Sequence, residues 1–174
     1  VLLDEGPTSS FRITVQDVQL RIGVLVTIQA GSDHDVRLRR LVVGKGHPVP
    51  MGVAIETNVP SSVTLEGSYV RRADAVSRPV VTMAASDPDG LVRFKALGNR
   101  ISGATDPDGG AGIELYMEGD GSVRAGLYNN AISRVASCVC GTAAGISIRP
   151  SGPIQGDVNI VGNSIDSSPT YGIR

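Results

Sequence analysis

The chain has 174 residues and a formal net charge of −1, so no global field draws it to nucleic acid or to a membrane surface. Hydrophobic residues make up 41%, which excludes a disordered chain, and the length suffices for one domain with a sizeable core. Aromatics are only 3% and Trp is absent, so that core must be built from Val, Ile, Leu and Ala, while 22 Gly and 10 Pro call for many turns.

After a short leading stretch, "VLLDEGPTSS", strand-like segments follow one another down the chain. "FRITVQDV" starts at Phe11, "VRLRRLVV" at Val36, "VTLEGSYV" at Val63, "VRFKALGNRI" at Val92, "VRAGLYNNAI" at Val123 and "VNIVGNSI" at Val158. Alternation in each has period two, and the first and third residues are apolar in every copy. A second series lies between them: "GVLV" at Gly23, "GVAI" at Gly52, "VVTM" at Val80, "GIEL" at Gly112, "GISI" at Gly145 and "GIR" at Gly172. Each repeat therefore carries at least two short strands. Strands this short cannot bury a face alone, but stacked coil on coil they share one continuous core.

A third series has Asn99, Asn130 and Asn163 at one place in successive repeats, each followed two residues later by Ile101, Ile132 or Ile165. Ser68 and Val70 are the equivalents one repeat earlier. Stacked Asn side chains can satisfy one another as a ladder, and Gly98 and Gly162 precede two of them as a tight turn prefers. On "GNRIS", "NNAIS", "GNSID", "GIEL" and "GISI" the chain resembles the parallel β-helix repeat family, the pectin-lyase-like right-handed solenoids. The resemblance is clear from Val63 onward and stays in phase back to Phe11. It implies an all-β, right-handed parallel β-helix of about six coils, with residues 1–174 one domain of a longer secreted or cell-surface protein. The competing architecture is a two-sheet antiparallel sandwich, which would not require the same letters at the same phase.

Outward positions of a solenoid form columns with a spacing of about 4.8 Å. The residues after each strand start, with their next outward neighbours, give a basic stripe of Arg12, Arg37, Arg39, Arg93, Lys95 and Arg124. Arg forks carboxylates well, so Arg37, Arg39, Arg93, Lys95 and Arg124 are the candidate surface for an anionic polysaccharide. The competing reading has Asp35, Asp89, Asp120 and Asp157 stacked as an acidic column that neutralises the stripe.

Two near copies, "SDPDG" at Ser86 and "TDPDGG" at Thr105, bring carboxylates to turns. Asp106 and Asp108 are weak candidates for Ca²⁺, but Asp-Pro-Asp-Gly is also an ordinary turn, and the copies sit at different corners. No cofactor is otherwise expected. Family members that cleave pectin carry an acidic cluster on one sheet. Here Glu56 and Glu114 fall two rungs apart in different columns, so no catalytic residue is assigned. A lyase or hydrolase with its groove on the Arg93, Lys95 and Arg124 sheet or in the loop Thr105–Gly112, where a hydrolytic pair would come from Asp106, Asp108, Glu114 and Glu118, is an alternative, and a structural tail-fibre or adhesin rod is another. His34 and His47 read as loop residues. Cys138 and Cys140 read as small buried hydrophobes on one strand face. Tyr116 is the tyrosine expected to be exposed. No apolar run is long enough for a membrane span, no signal peptide is visible, and no nucleic-acid module appears. Open solenoid ends imply self-association.

Overall fold

The structure is a computed structural model describing residues 2–3, 10–31, 33–45, 52–72, 79–86, 88–106, 110–137, 144–166 and 171–174, with backbone only at 2–3, 104–106, 135–137 and 171. Among these residues there are strands and no helix, and every strand pairing is parallel. Three sheets result. The first stacks Leu2–Leu3, Val24–Ile28, Val53–Thr57, Val81–Ser86, Ala111–Glu118, Ala144–Ser151 and Tyr171–Ile173. The second stacks Arg12–Gln16, His34–Arg39, Ser61–Glu66, Leu91–Leu97, Ser122–Tyr128 and Gln155–Val161. The third stacks Gln19–Leu20, Val42–Val43, Tyr69–Arg71, Arg100–Asp106, Ala131–Ser137 and Ser164–Asp166. The chain visits the sheets in that order and then repeats, which is a parallel β-solenoid. It makes about four turns rather than six.

Val92 and Val123 are direct partners on adjacent parallel strands, the pairing on which the repeat reading depends. The Gly-Ile series is also in phase: Val24, Val53, Val81, Ile113, Ile146 and Ile173 form one column. Gly52 sits at the start of this series because a Cβ there would collide with the Val80 carbonyl oxygen of the next coil. The second sheet departs from expectation. Ile13, Val36, Val63, Phe94, Ala125 and Val158 share one column, so the strands at Val36, Val63 and Val158 are displaced by two residues against those at Phe11, Val92 and Val123. A two-residue slip keeps every apolar side chain on the inner face, so alternation alone does not reveal it.

The core is one continuous aliphatic column whose one buried phenyl ring among the described residues, Phe94, is seated between Val63 on one rung and Ala125 on the next. Large beside small fills the stack without strain. At the corner between the second and third sheets, Asp17, Arg40, Gly67, Gly98, Asn129 and Gly162 all have positive φ, between 48° and 67°. This left-handed column turns the chain within two residues, and the Asn ladder follows at once. Asn130 Oδ1 accepts from the Asn99 backbone N–H (3.1 Å) and from Asn99 Nδ2 (2.9 Å). Asn163 Oδ1 does the same for Asn130 (2.9 and 2.8 Å). Each Nδ2 also donates to an inner carbonyl, Leu65 for Asn99 and Ala96 for Asn130. Ser68 continues the ladder by donating its N–H to Asn99 Oδ1 (2.9 Å).

Candidate anion-binding surface

The second sheet presents three outward columns, and their true register redistributes the expected stripe. The first reads Arg12, Asp35, Ser62, Arg93, Arg124, Asp157; the second Thr14, Arg37, Thr64, Lys95, Gly126, Asn159; the third Gln16, Arg39, Glu66, Leu97, Tyr128, Val161. The six basic residues therefore do not form one stripe. The expected acidic column is also divided. Asp35 and Asp157 stand on strands inside the first column, whereas Asp89 and Asp120 lie in the turns that precede their strands.

The amino-terminal members are neutralised. Arg12 Nε donates to Asp35 (3.1 Å), and the Arg37 guanidinium takes both oxygens of the same carboxylate (3.2 and 2.9 Å). Arg39 Nε donates to Glu66 one rung on (2.8 Å). Arg40 forks Asp17 through Nε and Nη2 at 2.6 Å each, and this hydrogen bond holds the Asp17 carboxyl below its ordinary range. Arg37 and Arg39 are thus occupied by the protein's own carboxylates.

Arg93, Lys95 and Arg124 are different. All three are exposed, Arg93 and Arg124 are direct register partners, and Lys95 lies two residues along the same strand face as Arg93. Among the described residues, no carboxylate bonds any of them. Beside them lies a feature that the sequence reading missed. Gly126 is the register neighbour of Lys95, and the Tyr128 ring fills the space that a side chain at 126 would take. An aromatic ring lying over the sheet beside three cations offers an apolar face to a sugar and charge to its acidic substituents. The available signal was a Gly in an outward column with a Tyr two residues later. The edge of the surface is a shallow depression of about 400 Å³ that includes Ser122, Arg124, Gln155 and Asp157.

The first sheet holds the other candidate chemistry. Glu56, Ala84, Tyr116 and Arg149 share a column, and Ala54, Thr82, Glu114 and Ser147 share the next. The two glutamates are therefore two rungs and one column apart, as expected. Arg149 Nη1 donates to Glu114 (3.3 Å), and its guanidinium carbon lies 5.9 Å from the Tyr116 ring centre. Tyr116 donates its hydroxyl to Glu118 (3.0 Å), which pushes the phenol above its usual range. Glu114 and Glu118 are thus already engaged. Tyr116 is half-buried rather than exposed.

The Asp106 side chain and Asp108 lie outside the described residues, as do His47, Cys138 and Cys140. Among the described residues no three His, Cys, Asp or Glu side chains gather as a metal site. His34 is not a loop residue. It opens the strand His34–Arg39, is buried, stacks on Phe11 at 3.9 Å between ring centres, and bonds the Ala30 carbonyl through Nε2 (2.6 Å). Arg72, which no pattern singled out, is buried and donates to the Pro79 carbonyl (3.1 Å). No described helix is long and apolar enough to cross a membrane. Comparison with protein-family models, with curated proteins and with solved structures finds no match to any of them.

Proposed function

We propose that this chain is a β-solenoid binding module that holds an anionic polysaccharide against Arg93, Lys95 and Arg124. The observation that carries the reading is the absence of any described carboxylate bonded to these three exposed, register-adjacent cations, with the Tyr128 ring beside them. Stacked like charges repel unless an anion lies between them, and a uronate or sulfated chain running along the axis would meet a cation on each rung. The reading places the chain with the pectin-lyase-like solenoids, on the Asn and Gly-Ile motifs, and in a secreted or cell-surface protein. It needs no cofactor and no catalytic residue.

The test is a binding and turnover screen on uronate and sulfated polymers, with wild type and an Arg93→Ala/Arg124→Ala variant. Salt-sensitive binding that the variant loses by about tenfold or more, without depolymerisation, is the expected result. Depolymerisation would favour a lyase or hydrolase. Absence of binding even at low salt would favour a structural rod.

A further inference from the structure

The third sheet carries a second basic surface that the polysaccharide reading does not use. A groove of about 600 Å³ runs across four of its rungs, bordered by Arg71, Arg100 and Arg134. Ser102 lies between Arg71 on the rung before and Ser133 on the rung after, with Asp166 one rung further. Arg100 stands two residues before Ser102 on the same outward face, and Arg134 adjoins Ser133. Among the described residues, no side chain or carbonyl bonds the three guanidinium groups, and none bonds the Ser102 or Ser133 hydroxyl.

Arg134 has an unusual backbone. Its φ is 57°, in the left-handed region, and it stands opposite Gly103, whose φ is 89°. The sheet bends at this point on both rungs. Gly103 takes the bend without cost, and a Cβ there would strike the Arg72 carbonyl oxygen. Arg134 makes the same bend with a long charged side chain, a conformation that L residues other than Gly avoid. The other left-handed arginine, Arg40, has its side chain tied to Asp17. Arg134 has no such tie among the described residues, and it lines the groove.

We propose that this groove binds a tetrahedral oxyanion, a phosphate or sulfate ester group, between Arg71, Arg100 and Arg134, with the Ser102 and Ser133 hydroxyls donating to it. A carboxylate has two oxygens, and one guanidinium fork satisfies both. Three arginines and two serines lining one groove suit an anion with three or four acceptor oxygens. Asp166 bounds the groove at its far end. The site lies on a different sheet from Arg93 and Arg124 and stands or falls independently of them.

The experiment is a nuclear magnetic resonance titration of the isotopically labelled chain at constant ionic strength, with chloride as the baseline salt. The probes are inorganic phosphate, a sugar phosphomonoester and a sulfated monosaccharide. The expected result is saturable shifts at Ser102, Ser133 and Arg134 that chloride does not produce. Arg134→Gly, which keeps the left-handed backbone, and Arg100→Gln should each weaken binding by about tenfold. Arg93→Ala/Arg124→Ala should leave it unchanged. Saturation by inorganic phosphate identifies a free anion as sufficient; saturation by the esters alone assigns the site to an esterified group. Shifts that do not saturate, or full affinity in the folded Arg134→Gly variant, overturn the proposal.

Discussion

The two halves of the second sheet carry similar sequences with opposite electrostatic outcomes. In the amino-terminal rungs Arg12 and Arg37 share Asp35, and Arg39 meets Glu66. In the carboxy-terminal rungs Arg93 and Arg124 stack on each other, and Lys95 sits between Thr64 and Gly126. All of these residues alternate outward from strands of the same solenoid. What separates them is whether the carboxylate on the neighbouring rung, which a coil places about 4.8 Å away whatever its distance along the chain, bonds the arginine: Asp35 bonds Arg12, whereas Asp157, the register partner of Arg124, does not. A basic stripe in a solenoid is therefore a property of register as much as of composition. An insertion of two residues in one loop can convert an open cationic surface into a closed set of ion pairs.

The comparison rests on the rungs staying in register, and the largest expected effects come from breaking the core that holds them. Phe94→Ala removes a buried phenyl ring from a column whose neighbours are Val63 and Ala125. It should destabilise the chain by about 3–5 kcal/mol, read from urea unfolding. Asn130→Ala should cost about 2–4 kcal/mol in the same measurement. It leaves the Asn99 N–H, the Ala96 carbonyl and Asn163 Oδ1 short of partners inside a buried network.

Smaller changes sharpen the contrast itself. Gly126→Val takes the space of the Tyr128 ring and should weaken glycan binding by roughly threefold to tenfold while leaving the fold intact by circular dichroism. Asp35→Asn releases Arg12 and Arg37 at once. Stability should change by less than about 1 kcal/mol, because both arginine partners are exposed, but polyanion binding should strengthen as the amino-terminal rungs come to resemble the carboxy-terminal ones. If binding does not strengthen, the difference between the halves is not one of charge pairing.

The smallest effect is at the corner. The hydrogen bond from Arg40 lowers the Asp17 pKa, so its stabilising contribution is present above the ordinary carboxylate range and fades as pH falls through the lowered value. A carboxyl titration should show Asp17 protonating at lower pH than a free aspartate, and Arg40→Gln should restore the ordinary midpoint. An unchanged midpoint in that variant would remove Arg40 as the cause.

The repeat of apolar pairs, the Asn positions and the Gly-Ile segments were enough to read a parallel solenoid and to place Val92 on Val123, because core alternation and corner turns are written locally in every coil. The chain also revealed that Glu56 and Glu114 do not form a carboxylate pair. Three things depended on the assembled coils. The second-sheet register was one, since a two-residue slip preserves the inward face. The fate of each arginine was another, since it depends on a carboxylate more than 20 residues away for Arg12, Arg39 and Arg40. The third was the packing of Tyr128 over Gly126 and the gathering of Arg71, Arg100 and Arg134, which neither period nor composition marks. Local patterning encodes the face on which a side chain stands; only stacking decides what stands beside it.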